Sequence, residues 1–277
     1  MTLNAQQISL AIRGKPVLHN VDFTALSGAV TAIAGPNGSG KTTLLRAMIN
    51  EEAATGQITL NGIPVTPRTA ASLAATRAVL PQSSRIAFPF KVAEVIRIGH
   101  LAGPHAHHTD IPDRALEAVG LSGYQTRFFQ ELSGGEQQRV QLARVLCQVW
   151  QPVFEGQPRW LFLDEPVASL DIGHQLGIMQ LVRDYADQGG GVVAVMHDLN
   201  LTAMFADRVT IMKSGRVLAE GTPPEVMTND ILSRTYDADI SANSAPGPGT
   251  PFVLPQMAAR PCPAKRPSGR AHHLATP

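Results

Sequence analysis

The sequence predicts an α/β fold, with a mostly parallel sheet covered on both faces, an antiparallel β element beside it and a helical subdomain inserted between strands. Three observations carry this. Residues 30–34 are apolar and β-prone, and they run into Gly35-Pro36-Asn37-Gly38-Ser39-Gly40-Lys41-Thr42-Thr43 and then a helical stretch with Leu44, Leu45 and Met48 on one face. From residue 160 onward, short apolar runs alternate with helical patterns, the mark of parallel strands joined by helices. Asn61-Gly62 between two apolar runs is a hairpin turn signal, which puts antiparallel strands close to the glycine-rich loop.

Taken in order, residues 8–12 and 17–23 read as strands around a Gly14-Lys15-Pro16 turn, with a break at Ser27-Gly28. The helix after the loop covers residues 43–49. The hairpin spans 57–65, and a short core strand at 78–80 ends at Pro81-Gln82. Residues 83–150 then change to helical character. Residues 91–100 place Val92, Val95, Ile96 and Gly99 at helical spacing, and Pro112 opens a helix that Gly120 ends. Beyond residue 160 come a strand at 160–163, a helix at 172–187 and a strand at 192–196. A helix at 199–206 and a hairpin of 209–212 with 217–219 follow. Pro223-Pro224-Glu225 starts a short helix, and 230–236 forms another. This gives one domain over 1–240 and a Pro/Gly-rich extension over 241–277. In that extension Phe252-Val253-Leu254 is a candidate docking strand, and 256–277 reads as a mobile tail.

The chain has 277 residues, 44% hydrophobic and 16% charged, with a net charge of +1. That balance argues against an electrostatic nucleic-acid binder. Two cysteines, Cys147 and Cys262, make neither a disulfide framework nor a zinc site, and Cys147 in its apolar helical run reads as a buried thiol. No apolar run approaches the roughly 18 residues of a membrane span, so attachment to a membrane is expected to come through a partner.

Gly35, Gly40, Lys41 and Thr42 stand at the G-x-x-x-x-G-K-[ST] spacing of a phosphate-binding loop. Glycines let successive backbone N–H groups turn onto a polyphosphate, and the helix N-terminus adds partial positive charge. Lys41 would reach the β- and γ-phosphates, and the Thr42 hydroxyl would sit on Mg²⁺. A nucleotide is therefore expected here. Trp160-Leu161-Phe162-Leu163 leads into Asp164-Glu165, so a buried strand delivers two carboxylates to the ligand-binding edge of the sheet. Asp164 suits Mg²⁺, and Glu165 can polarise the water that attacks the γ-phosphate. Ser133 and Glu136 form a capping box. The paired Gly134 and Gly135 suggest a second anion-binding helix terminus.

With these residues in sequence order, the chain resembles the ATP-binding subunits of ABC transporters over about residues 3–240. The resemblance rests on Gly35 to Thr42, Gln82, Leu132-Ser133-Gly134-Gly135-Glu136-Gln137-Gln138, Asp164-Glu165, Ser169-Leu170-Asp171 and His197. It implies a P-loop NTPase core of the ABC ATPase type, which hydrolyses ATP with Mg²⁺. It also implies a homodimer with two ATPs sandwiched between subunits, so that Ser133, Gly134 and Gly135 of one copy complete the nucleotide site of the other. By the same resemblance Gln82 senses Mg²⁺ and the attacking water, Asp171 lies at the subunit contact, and His197 holds the γ-phosphate. Where the family usually has an aromatic residue before the early turn, this chain has Arg13, whose guanidinium plane can stack on adenine.

In finer detail the chain is similar to the hemin-import ATP-binding subunits of bacteria. The similarity lies in Leu80-Pro81-Gln82-Ser83-Ser84, Phe88-Pro89-Phe90, the helix from Ser133 to Arg144 and the insert at 151–159. Ferric-siderophore and cobalamin importers use similar subunits. The expected partners are two copies of a transmembrane permease, contacted by residues 83–90, and indirectly a periplasmic binding protein. The expected place is the cytoplasmic face of the inner membrane. A soluble, non-transport ABC ATPase is the reading of a different class; long heptad arms or tandem cassettes would mark it, and neither is present. His105, His107, His108, His272 and His273 read as solvated loop and tail histidines rather than ligands.

Overall fold

The computed structural model describes residues 1–82 and 88–258. From the N-terminus come β1 (Thr2–Ile12), β2 (Lys15–Leu26), β3 (Val30–Ala34), α1 (Lys41–Met48), β4 (Thr55–Leu60), β5 (Ile63–Pro64), α2 (Ala70–Ala74) and β6 (Arg77–Leu80). The helices α3 (Val92–Ala102), α4 (Ile111–Ala118) and α5 (Gly134–Gln148) follow, then a small hairpin of β7 (Val153–Phe154) and β8 (Gln157–Pro158). The chain closes with β9 (Trp160–Asp164), α6 (Ile172–Asp187), β10 (Gly191–Val195), α7 (Leu199–Phe205), β11 (Arg208–Lys213), β12 (Arg216–Gly221), α8 (Pro223–Val226) and α9 (Asn229–Tyr236).

Six strands form the central sheet in the order β12-β11-β3-β10-β9-β6, parallel except for β12. Side chains alternate across a strand with period two, so each central strand feeds two cores. Ile33, Trp160, Phe162, Val193 and Val195 face one core, shared with α1 and the antiparallel sheet β2-β1-β4-β5. Val30, Ala32, Leu161, Leu163, Val192 and Ala194 face the other, where α3, α4, α5 and α6 pack. Helices can cover both faces because the central strands are apolar on both.

One contact binds the layers together. Trp160 is fully buried, and its Nε1 donates to Asn61 Oδ1 at 3.0 Å, while Asn61 Nδ2 donates to Pro158 O at 2.9 Å. Asn61 and Gly62 hold φ of 50° and 80°, the left-handed pair a two-residue hairpin needs. Opposite Trp160 sits Gly191, where a Cβ would lie 2.3 Å from the indole ring.

The early turn departs from expectation. Arg13 and Gly14, at φ 49° and 76°, form the β1–β2 turn, and Lys15 and Pro16 already belong to β2. Two left-handed residues match the twist of flanking strands better than a turn centred on Pro16, whose ring fixes φ negative. At 252–254 no strand forms. Phe252 and Leu254 line a groove with Leu199, Asn200 and Ala203, a helix face that offers no strand for pairing; a 3₁₀ turn at Pro255–Met257 follows and packs on α7, where Gln256 Nε2 donates to Asn200 Oδ1 at 3.1 Å. Residues 83–87 of the expected permease contact, 259–277 of the expected tail, and with them Cys262, His272 and His273, lie outside the described residues.

In the helical section, α3 approaches α5 through glycine. A Cβ at Gly99 would lie 1.9 Å from Arg144 O, so the two backbones touch. Cys147 on α5 is buried and its thiol is pushed up to about 12 by desolvation. His105 corrects the expectation of a solvated loop: it is 3% exposed, stacked edge-on at 4.9 Å to Phe154. Phe154 belongs to the β7–β8 hairpin, which draws this histidine under cover, and burial lowers its pKa. His107 and His108 are exposed.

Candidate nucleotide site

Because β3, β10, β9 and β6 are parallel neighbours in that order, their C-terminal ends share one edge of the sheet. The loop of residues 35–40 leaves β3, and His197 follows β10. Asp164 ends β9 with Glu165 next, and Gln82 follows β6. Topology alone thus lines up residues scattered over 35–197 along one rim.

The loop requires its glycines. Gly35 has φ 144°, and a Cβ there would lie 2.1 Å from Met212 O; Gly40, the N-cap of α1, has φ 100°. Lys41 is 5% exposed, and its Nζ donates to Gly35 O at 2.8 Å and Pro36 O at 3.0 Å. Burial lowers its pKa, opposed by the nearby Glu165 and Asp164 carboxylates. Ser39 is 2% exposed, and its Oγ has no hydrogen-bond partner in the structure. Thr42 Oγ1 donates to Asp164 Oδ1 at 3.0 Å. Asp164 is 2% exposed, and its pKa is raised, first by burial and further by Glu165, against the Thr42 bond.

Glu165 sits at φ 54° and its N–H donates to Val195 O at 3.2 Å. Its Oε1 accepts from Gln82 Nε2 at 2.7 Å and lies 2.6 Å from His197 Nε2. A cavity of about 270 Å³ opens between Asn37, Gly40, Lys41 and Thr42 on one side and Gln82, Glu165 and His197 on the other. A second, of about 540 Å³, shares Asn37, Gln82, Glu165 and His197 and extends over Pro166, Val167, Ala168 and Gln175.

The structure therefore brings the phosphate-binding loop, including Thr43, together with Gln82, Asp164, Glu165 and His197. It does not bring the rest to this cavity. Arg13 is exposed at the β1–β2 turn. Ser133 caps α5, with its Oγ accepting from Glu136 N at 3.3 Å and the Glu136 carboxylate accepting from Ser133 N at 2.8 Å. The bonds donated to the Glu136 carboxylate by Ser133 N, by Ser133 Oγ at 2.8 Å and by Tyr124 OH at 2.9 Å hold its pKa low. Gly134 is exposed. Asp171 caps α6, and its Oδ1 accepts from His174 N at 2.9 Å, which lowers its pKa. None of Arg13, Ser133, Gly134, Gly135 and Asp171 lines either cavity.

One residue of the resembling stretch 132–138 had no role assigned from the sequence. Gln138, on the second turn of α5, donates from Nε2 to Glu165 O at 2.8 Å and accepts at Oε1 from Ser169 N at 3.2 Å. A polar residue at one helix position gives no hint of a partner 27 residues away.

The donors at the loop are a hydroxyl, a carboxylate and an amide. Mg²⁺ favours such hard oxygens and fills its remaining positions with phosphate and water, so the residues present fit it.

A family model described as ABC transporter matches residues 18–168. The hemin import ATP-binding protein HmuV of Jannaschia sp. (strain CCS1) is 55% identical over 98% of this chain and 98% of its own. The protein of the same name from Ruegeria sp. (strain TM1040) is 57% identical, with coverage of 93% and 99%. Among solved structures, cbiO1 from Clostridium perfringens, part of the ABC transporter complex cbiONQ, is 27% identical with a TM-score of 0.69, covering 84% of this chain and 92% of that one. An ATP-binding subunit of an ABC transporter at 21% identity, TM-score 0.72, and coverage of 86% and 95% shares the fold. The chain belongs to the ABC transporter family, as an ATP-binding subunit that hydrolyses ATP.

Proposed function

We propose that this chain powers a hemin importer, working as a homodimer on the cytoplasmic face of the inner membrane beneath two permease copies fed by a periplasmic binding protein. Subunits of this family work with transmembrane permeases. Among the described residues no helix is long and apolar enough to cross a membrane. The cargo assignment is supported by the names of relatives that match this chain from end to end. Phe88 and Phe90, at the described end of the 83–90 segment, are exposed aromatics suited to a permease contact.

The observation that carries the catalytic part is Glu165 Oε1 held between Gln82 Nε2 and His197 Nε2 above the phosphate loop. ATP binds with its phosphates against the backbone of residues 35–43 and the Lys41 ammonium, which exchanges its bonds to Gly35 O and Pro36 O for phosphate oxygens. Arg13 stacks on the adenine. Thr42, Asp164 and Gln82 would hold Mg²⁺, which would supply neutralisation of phosphate charge when bound. A water that enters as ATP binding parts Gln82 from Glu165 attacks the γ-phosphorus in line. The bond to the β-phosphate oxygen breaks, ADP and phosphate leave, and Glu165 takes the water's proton. His197 Nε2 exchanges its contact with Glu165 Oε1 for a hydrogen bond donated to the γ-phosphate.

Ser133, Gly134 and Gly135, remote from their own chain's cavity, complete the site of the second copy, with Asp171 at the contact. ATP then bridges two subunits and closes them, and the helical subdomain over 83–150 carries the closure to the permease. The test is reconstitution of the chain with its permease and binding protein in vesicles. ATP-dependent hemin uptake, absent with cobalamin or a ferric siderophore, is the expected result. Uptake of either alternative in place of hemin overturns the cargo assignment. ATPase activity that no permease stimulates overturns the importer role.

A further inference from the structure

We infer that Gln138 is a positioning residue for Glu165, a link by which the helix bearing Ser133–Gly135 sets the geometry of the hydrolytic carboxylate. The inference rests on the role proposed above for Glu165.

Glu165 occupies the left-handed region at φ 54°, a conformation that L side chains adopt only where the surroundings impose it. Three backbone restraints hold it there, one of them a long bond of 3.4 Å from Ala168 N to the Glu165 carbonyl within the loop itself. Its N–H is tied to Val195 O of the neighbouring strand, and its carbonyl accepts from Gln138 Nε2 at 2.8 Å. The other end of the same amide, Oε1, accepts from Ser169 N. One side chain thus spans the loop from 165 to 169, and both amide ends are engaged.

Gly135 supports the same loop one turn earlier. A Cβ there would lie 3.0 Å from Ser169 O and 3.1 Å from Leu170 Cδ2, so the first turn of α5 packs directly on it. The helix that begins at Ser133 therefore touches the loop after Glu165 at two points, and the Gln138 amide alone of these reaches the Glu165 peptide. The carboxylate end is held separately by Gln82 and His197. A shift of the α5 N-terminus pulls on the Glu165 carbonyl, which rotates the side chain relative to the phosphate loop. In a closed dimer the same N-terminus would lie on the partner's ATP. Gln138 then makes hydrolysis at one site depend on the seating of the other.

The test uses the full-length chain assembled with its permease. Gln138→Met keeps length and removes both bonds; Gln138→Glu keeps an acceptor for Ser169 N but sets a carboxylate against the Glu165 carbonyl. Both are expected to lower kcat about tenfold or more, since misplacement of about 1 Å can cost up to ~100-fold. The KM for ATP and the Tm should stay near wild type. In a Glu165→Gln background, Gln138→Met should cost nothing further in single-turnover hydrolysis, because residues acting through one another are not additive. An equal loss in both backgrounds, or wild-type kcat in Gln138→Glu, overturns the inference. Wild-type turnover by Glu165→Gln alone instead removes Glu165 from its role. An inactive Glu165→Gln beside a fully active Gln138→Met removes only the link.

Discussion

Thr42 and Asp164 stand 122 residues apart in sequence and share a hydrogen bond of 3.0 Å. That bond latches the start of α1 to the end of β9, so the phosphate loop and the carboxylate-bearing strand end move as one unit. It also places an ionisable group at 2% exposure, where desolvation raises its pKa.

The sign of the pH effect follows from that shift. The native state binds the Asp164 proton more tightly than the unfolded chain does. Between the ordinary carboxylate value and the raised native one, stability therefore falls as pH rises. Above that window the ionised carboxylate is a standing cost in the metal-free protein. Asp164→Asn should raise the metal-free Tm at neutral pH and flatten this part of the pH profile. It should also lower Mg²⁺-dependent kcat by at least about 100-fold, since metal neutralisation of phosphate charge is worth several kcal/mol. Calorimetry from acidic to neutral pH, with steady-state ATPase assays, checks both arms.

Lys41 spends its ammonium on two loop carbonyls in the absence of phosphate. Lys41→Ala removes a charge-assisted donor worth about 1.5–3 kcal/mol, so ATP affinity should weaken roughly 10- to 100-fold. Titration with a fluorescent ATP analogue reads this directly, and an unchanged affinity would take Lys41 out of phosphate binding.

At the opposite end of β10, Gly191 lies under the Trp160 ring, where a Cβ would be 2.3 Å from the indole. Gly191→Ala forces the buried Trp160 to shift and strains its bond to Asn61. Overpacking of this kind costs about 1–3 kcal/mol. A lower urea midpoint with unchanged ATP affinity is expected, because the contact is remote from the phosphate rim.

The chemistry-bearing rim was legible because each part has a local signature. The glycines before Lys41 have few other uses at that spacing, and Asp164-Glu165 ends an apolar run that only a buried strand explains. Strand order was not legible, yet it is strand order that sets His197 and Gln82 beside Glu165. The β1–β2 turn was misplaced because Pro16 is a strong turn residue in isolation, while the strand twist favours Arg13-Gly14. His105 was read as solvated because the β7–β8 hairpin that covers it lies about fifty residues downstream, beyond any local pattern. Gln138 was quoted only as part of the stretch 132–138, and its contacts were not legible for the same reason: its partners lie beyond its own helix.

In the proposed function ATP is bound between two copies and hydrolysed through Glu165. Sedimentation of Glu165→Gln in the presence of ATP and Mg²⁺, with bound nucleotide counted per chain, addresses both halves at once. A stable dimer with one unhydrolysed ATP per chain is expected, which dissociates when Ser133 is replaced by a bulky acid in Ser133→Glu. A monomer that binds ATP and turns it over at the wild-type rate would contradict it.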